Sequence, residues 1–142
     1  GMSHIPDHHA HTVTVPGTVM GWADLLAQHG RMPLGDVLQP AIRYAEEGFP
    51  LSPKFQAYIA QYAETLRPYE VTANVYLPGG RPPQAGGIFR QPDLAGSLRQ
   101  VSAGGRDVFY QGELAHAAYT AAAVPRWPDS PSVEAIGNLR RG

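Results

Sequence analysis

The 142-residue sequence contains no cysteine, which excludes disulfide bonds, thiolate metal ligands and a cysteine nucleophile. It also lacks an apolar run of the roughly 18 residues that a transmembrane helix needs, so we expect no membrane partner. The net charge is −1 and the 11 basic residues are scattered, so we expect no nucleic-acid partner. The sequence shows no signal segment and leaves the localisation of the protein open.

Proline and glycine, by contrast, are abundant, with 14 and 16 residues, and the hydrophobic share of 43% is that of an ordinary globular chain. We therefore predict a mainly α fold of about five short helices joined by Pro/Gly-rich loops. Residues 1–12 are predicted to be a flexible lead-in, 13–124 the helical segment and 125–142 a proline-rich tail.

The first helix is predicted from Gly17 to His29, with Pro16 at its first position and Gly30 as its stop. A second helix is expected to follow, with Asp36 as its N-cap. Proline in a helix interior costs about 3 kcal/mol, so Pro40 is expected to split that segment. The apolar face of the second helix is predicted to consist of Val37, Ala41, Tyr44 and Ala45.

Ser52 and Pro53 predict the start of a third helix, which ends before Pro68. Its apolar stripe is Phe55, Ile59, Tyr62, Ala63 and Leu66. The following residues 71–77 are predicted to form a short strand or turn, and 78–87 a loop. A fourth helix is expected from Pro92 to the pair Gly104-Gly105, then a turn at 106–112 and a last helix over 113–123.

Histidines and an acidic residue cluster near the start of the sequence, namely His4, Asp7, His8, His9 and His11. Imidazole and carboxylate groups are good zinc or nickel ligands, which leaves metal binding as a hypothesis. The spacing is poor for a preformed site, however, so we predict no metal ligand. A solvated terminus is the favoured interpretation.

Other candidate residues have simpler structural interpretations. His29 at a helix end and His116 in an alanine-rich helix are interpreted as structural. Glu46 and Glu47 are adjacent on a helix and point about 100° apart, which is unsuitable for an acid and base pair. The bulky aromatic residues are predicted to be core anchors, with a ligand pocket as the alternative, and they are Trp22, Tyr44, Phe55, Tyr58, Tyr62, Phe109 and Tyr110.

Five short motifs follow one another at regular places along the chain. They are Val15-Pro16-Gly17, Gly30-Arg31-Met32-Pro33, Pro40-Ala41 running on to Glu47-Gly48-Phe49, Gln91-Pro92-Asp93-Leu94-Ala95, and Gly105-Arg106-Asp107-Val108-Phe109-Tyr110-Gln111-Gly112. In this order they resemble the large subunit of the gamma-glutamyltranspeptidase family of N-terminal-nucleophile hydrolases. The resemblance covers about residues 11–124, and Gln91 stands where the family usually has asparagine.

The resemblance implies gamma-glutamyl transfer from glutathione-like donors to an amino acid or to water. The family's nucleophile is a threonine freed by self-cleavage, whose own amine serves as general base, in a Thr-Thr/Ser-His setting. The threonines of this chain are Thr12, Thr14, Thr18, Thr65, Thr72 and Thr120. None of them lies in such a setting. We therefore predict no catalytic residue and no cofactor. Members of the family are often exported.

Together these features predict a fragment or truncated relative of the family that is inactive alone. Its expected partners are a second copy of itself, as a homo-oligomer, or the remaining parts of such an enzyme. The alternative is a stand-alone helical interaction module or a complementing subunit.

Overall fold

The computed structural model of the chain describes residues 16–122, which form seven α-helices and one two-stranded sheet. The helices are α1 Thr18–His29, α2 Leu34–Glu47, α3 Pro53–Gln61, α4 Ala63–Leu66, α5 Glu70–Tyr76, α6 Pro92–Gln111 and α7 Glu113–Ala122. The strands are β1 Phe49–Pro50 and β2 Ile88–Phe89. The mainly α prediction is confirmed. The predicted lead-in 1–12 and tail 125–142 lie outside the described residues.

The chain divides into two compact units, Gly1–Asp36 with Gln100–Gly142, and Val37–Arg99. The second unit holds the main hydrophobic cluster, formed by Leu51, Ile59, Ala63, Leu77 and Phe89. Partly buried side chains pack around that cluster, and they are Phe49, Leu66, Ala73, Val75 and Tyr76. None of the helices within residues 16–122 combines the length and apolar character needed to cross a membrane.

The two short strands pair antiparallel inside the second unit, with Phe49 opposite Phe89. Phe89 is 4% exposed and contacts the rings of Phe49 and Phe55 edge to face, at centroid distances of 5.9 and 6.0 Å. It also stacks on Tyr76 at 5.8 Å. Edge-to-face and stacked pairs contribute about 0.5–1.5 kcal/mol each beyond their buried area. These rings therefore hold the strand pair against the helices.

The prediction that the bulky aromatic residues anchor the core is wrong for most of them. Trp22, Tyr44, Phe55, Tyr58 and Tyr62 are exposed, whereas Phe109 and Tyr110 are partly buried. The aliphatic residues beside them on the same helices take the buried positions instead, as Ile42 and Ile59 do. The aromatic side chains of the core come from Phe49, Tyr76 and Phe89, which the helical stripes did not include.

Helix α2 runs unbroken from Leu34 through Pro40, so the predicted split is wrong, as is the N-cap at Asp36, which lies in the first turn. Its buried residues are Leu38, Ile42 and Ala45. Of the predicted face only Ala45 is buried, and Leu38 and Ile42 lie one position after the predicted Val37 and Ala41. Burial of this stripe offsets the hydrogen bond that Pro40 cannot donate, since a buried Leu or Ile contributes about 1.5–3 kcal/mol.

The third helix begins as predicted, because the Ser52 hydroxyl accepts a hydrogen bond from the Phe55 backbone N–H at 3.2 Å. It breaks at Tyr62 into α3 and α4. Residues 71–76 are helical in α5 and Leu77 is the C-cap of that helix, contrary to the predicted strand or turn. The Leu77 backbone N–H bonds to the Ala73 carbonyl at 2.7 Å, and Leu77 is buried. Tertiary burial thus overrides the low helix propensity of the local sequence.

Gly48 ends α2 and starts β1. Its N–H donates to the Tyr44 carbonyl at 3.0 Å, and its φ of 89° lies in the left-handed region. A Cβ atom at this position would lie 2.5 Å from Ile88 Cγ2 and 2.9 Å from the Phe89 carbonyl oxygen. The carbonyl of Ala45, in the last turn of α2, accepts the Gln91 backbone N–H at 2.8 Å. Only glycine allows the chain to turn here this close to β2.

In the first unit, the Tyr110 hydroxyl caps the start of α1. The N-cap residue Gly17 has no side chain to bond the free N–H groups of the first turn. The Met20 backbone N–H donates instead to the Tyr110 hydroxyl at 3.1 Å, and that hydroxyl donates to the Pro16 carbonyl at 2.5 Å. A residue 90 positions away thus performs the capping that a Ser or Asp at position 17 would perform locally.

Helix α6 is broken at Gly105, whose φ of 65° and ψ of −154° are not helical. The predicted stop at Gly104-Gly105 is therefore confirmed as a break, but residues 106–111 resume a helix instead of forming the predicted turn. The predicted last helix is confirmed as α7, with residue 123 outside the described range.

We predict that Gly105→Ala destabilises the protein by about 1–3 kcal/mol, because this backbone conformation is essentially restricted to glycine. A Cβ at Gly105 would meet nothing within 4 Å, so the loss is conformational and not steric. Gly96→Ala is the matched control, since Gly96 is helical and equally open. It should stabilise by about 0.4–1 kcal/mol. Urea denaturation of both variants tests this, and equal midpoints would contradict it.

A second prediction concerns the cap of α1. Tyr110→Phe removes the hydroxyl that bonds Met20 and Pro16, and it should lower the free energy of unfolding by about 1 kcal/mol. Tyr58→Phe serves as the control, because the Tyr58 side chain is exposed on α3. Thermal unfolding followed by circular dichroism measures both. An unchanged midpoint for Tyr110→Phe would show that the cap contributes nothing.

Candidate functional site

The residues considered for chemistry are spread over the surface. His29 lies in the last turn of α1 and His116 in α7, and both are exposed. Glu46 and Glu47 are exposed on α2, and Glu46 pairs with Arg99 of α6. Within residues 16–122, no three His, Cys, Asp or Glu side chains are close enough to hold a metal ion. The histidine cluster at residues 4–11 lies outside the described residues.

Some of the charged residues within 16–122 form ion pairs at the surface. Arg67 contacts Glu64 at 3.0 Å, and Arg106 contacts Asp24 at 3.5 Å. Such surface pairs contribute about 0–1 kcal/mol each. No charged or polar residue among positions 16–122 is buried. The arrangement therefore lacks, over this range, the desolvated ionisable groups that mark many catalytic sites.

Four of the five sequence motifs meet in two pairs instead, at backbone joints. The first joint links Pro16 and Gly17, in the first motif, to Tyr110, in the last, through the cap of α1. The second joint links Ala45, in the third motif, to Gln91, in the fourth, because the Gln91 N–H donates to the Ala45 carbonyl. Both joints satisfy backbone groups at helix ends. The motifs that carry the family resemblance thus position helices and strands.

The remaining motif, Gly30 to Pro33, forms the turn between α1 and α2. The Gly30 N–H donates to the Leu26 carbonyl at 2.9 Å, and a Cβ on Gly30 would lie 2.6 Å from that oxygen. Just after the turn, the Gly35 carbonyl accepts the Ser102 hydroxyl at 3.3 Å. This motif too has a geometric role.

One concave surface stands out in the second unit, between α5, β2 and the start of α6. It encloses about 890 Å³. We call it the α5–α6 groove, and it is lined by Val71, Thr72, Asn74, Val75, Tyr76, Pro78, Pro83, Ile88, Phe89, Arg90, Gln91, Pro92, Asp93 and Leu94. Sequence reasoning missed this groove, because its walls are three separate segments and one was predicted to be a strand or turn.

Comparison with known proteins covers the part of the chain that the motifs cover and extends to its first residues. The sequence profile described as Gamma-glutamyltranspeptidase matches residues 1–124. The match therefore includes all the described residues. It also includes the residues before position 11, where the motif resemblance did not reach.

Curated relatives match the chain over about three quarters of its length. An acylase, the ACY 1 proenzyme of Pseudomonas sp. (strain SE83), is 43% identical over 108 residues, or 76% of this chain and 19% of the relative. The glutathione hydrolase-like YwrD proenzyme of Bacillus subtilis is 40% identical over 103 residues, or 72% and 20% respectively. The chain thus spans about a fifth of the length of these relatives.

Solved structures give the same result for the fold. The cephalosporin acylase from Bacillus halodurans superposes with a TM-score of 0.76 and 34% identity, covering 82% of this chain and 23% of that one. The gamma-glutamyltranspeptidase of Helicobacter pylori superposes with a TM-score of 0.74 and 31% identity, covering 78% and 32%. With the profile match over residues 1–124, these likenesses show that the chain belongs to the gamma-glutamyltranspeptidase family.

Proposed function

We propose that this chain is a scaffold segment of a gamma-glutamyltranspeptidase-family enzyme and has no catalytic activity by itself. The observation that carries the proposal is the position of the family motifs at backbone joints, where Tyr110 caps α1 and Gly48 brings α2 to β2. A segment of this kind holds helices in place for a reaction whose nucleophile lies elsewhere in the family's polypeptide. The family reaction is gamma-glutamyl transfer to an amino acid or to water.

The names of the relatives support a scaffold role. The same segment occurs in proteins named as an acylase, a glutathione hydrolase-like protein and an oxamate amidohydrolase. Proteins with different named substrates share this segment at 39–43% identity. Substrate choice is set by the shape and polar groups of a binding pocket. A segment common to all of them is therefore better suited to support a pocket than to form it.

The threonines of the described residues support inactivity. Thr18, Thr65, Thr72 and Thr120 all lie within helices, where each backbone nitrogen is part of a peptide bond. A nucleophile that uses its own amine as general base requires a free N-terminal amine. None of these four side chains has that setting.

An alternative proposal is a stand-alone module that associates with a second copy of itself. The observation that favours it is the number of large apolar side chains that are exposed among the described residues. They are Trp22, Leu25, Met32, Val37, Tyr44, Phe55, Tyr58, Tyr62, Val71, Ile88 and Leu94. Large exposed apolar side chains are typical of interaction sites where they form a contiguous patch.

We predict that the purified full chain releases no nitroaniline from gamma-glutamyl-p-nitroanilide. The physical reason is the missing nucleophile. The positive control is the glutathione hydrolase of Bacillus subtilis, which is 34% identical to this chain over 103 residues. Turnover by the chain alone at an ordinary enzymatic rate of about 1 per second or faster would refute the proposal.

A second arm of the same experiment tests assembly. The glutathione hydrolase from which the 103 matched residues have been deleted is mixed with the full chain, and we expect the two to co-elute on size exclusion. Light scattering of the chain alone distinguishes the alternative. A stable homodimer that ignores the deleted enzyme would favour the stand-alone module, and elution of two separate monomers would overturn both proposals.

A further inference from the structure

We propose that the α5–α6 groove is the docking surface for an apolar segment of the remaining family polypeptide. This inference rests on the scaffold function proposed above, and it names the surface through which that function acts. The occupant is a stretch of the larger enzyme that inserts aliphatic side chains between α5 and the start of α6.

The rim of the groove is apolar and open to solvent. Val71 is 81% exposed, Ile88 is 53% exposed and Leu94 is 45% exposed, and they stand on α5, β2 and α6 respectively. Removing such apolar side chains from water is favourable. Three aliphatic side chains from three separate elements therefore converge on one concavity that gains stability when it is filled.

The floor of the groove is already formed. Phe89 is a buried member of the main hydrophobic cluster, and its ring stacks on Tyr76. Tyr76 is partly buried and packs against the same cluster. The backbone N–H of Gln91 is held by the Ala45 carbonyl at the second joint. A preformed surface loses little conformational entropy on binding. The groove thus meets a basic requirement of a docking site.

A small molecule fits this groove poorly. Its volume of about 890 Å³ is within the range of ligand pockets, but such pockets bury most of their ligand. The wall residues Val71 and Ile88 are each more than half exposed to solvent, so the walls do not enclose a small ligand. An extended or helical segment continues into its own chain on both sides of the groove. The walls of the groove therefore do not need to enclose it.

A second copy of the chain is also less suitable. A symmetric dimer uses the same patch on both subunits, so that patch must be complementary to itself. A concave groove facing its own copy leaves the concavity unfilled.

The curated relatives, however, carry about four fifths of their length outside the matched segment, since 108 matched residues make up 19% of the acylase and 103 make up 17% of the glutathione hydrolase.

Two charged residues in the lining of the groove add a requirement on the occupant. Arg90 and Asp93 line the groove and carry opposite charges. Neither side chain takes part in an ion pair with another of the residues at 16–122. A segment with apolar residues flanked by polar groups of both signs satisfies this surface. A strongly acidic or strongly basic peptide does not.

The test measures binding of the full chain to the glutathione hydrolase that lacks its 103 matched residues. Val71→Lys and Leu94→Lys place a charge in the groove, and both positions are exposed enough to keep the fold intact. Val37→Lys is the matched control, because Val37 is 43% exposed on α2 and lies outside the groove. Circular dichroism of all variants checks that the helices are retained.

We expect each groove variant to weaken binding by about tenfold or more, as a disrupted interface centre does, and the control to change it by less than about twofold. Wild-type binding that survives both groove variants would overturn the groove as the docking surface, while the scaffold function would stand. No binding by the wild-type chain to a deleted hydrolase whose circular dichroism spectrum shows that it is folded would overturn the scaffold function itself, and the docking surface with it. Loss of binding in the control and the groove variants alike would also refute a localised site.

Discussion

The left-handed turn at Gly48 is the constraint on which the second unit depends. Any side chain at this position would collide with Ile88 and with the backbone of Phe89, so the chain passes close to β2 only because no Cβ is present. The turn ends α2, starts β1 and brings Ala45 within reach of Gln91. The strand pair, the aromatic contacts of Phe89 and the start of α6 all follow from that one backbone conformation.

In the first unit, a side chain connects distant parts of the chain, namely Tyr110 and the start of α1. Gly17 leaves the start of α1 without a local cap, and the Tyr110 hydroxyl supplies it from 90 residues away. A local cap stabilises one helix, whereas this one also fixes the distance between two distant parts of the chain. In the first unit, Gly17 provides no capping side chain, and Tyr110 of another motif bonds the free N–H of Met20. In the second unit, Gly48 lets the chain pass close to β2, and Gln91 of another motif bonds Ala45. The motifs therefore belong together as parts of joints.

Helix ends could be predicted from the sequence, because they depend on local chemistry. Gly30, Ser52 with Pro53, and Gly105 each act through their own backbone or hydroxyl, and each marks a boundary or break in the structure. The buried face of α2 could not be predicted in the same way. Its two apolar stripes lie one residue apart, and periodicity does not decide between them. Tertiary packing chose Leu38 and Ile42, and left Val37 and Tyr44 exposed.

The candidate site was beyond sequence reasoning for a related reason. Its walls come from α5, whose β-branched residues suggest a strand, and from β2, whose two residues are too few to show alternation. Family membership was readable because each motif is a short run of neighbouring residues, although the joints that the motifs form connect distant parts of the chain. Activity depends on groups that converge from across a complete polypeptide, so a segment with about a fifth of its relatives' length can keep the family's joints without its chemistry. In the scaffold role that we propose, such a segment contributes surfaces that contact the rest of the enzyme, and the open apolar rim of Val71, Ile88 and Leu94 is one such exposed surface.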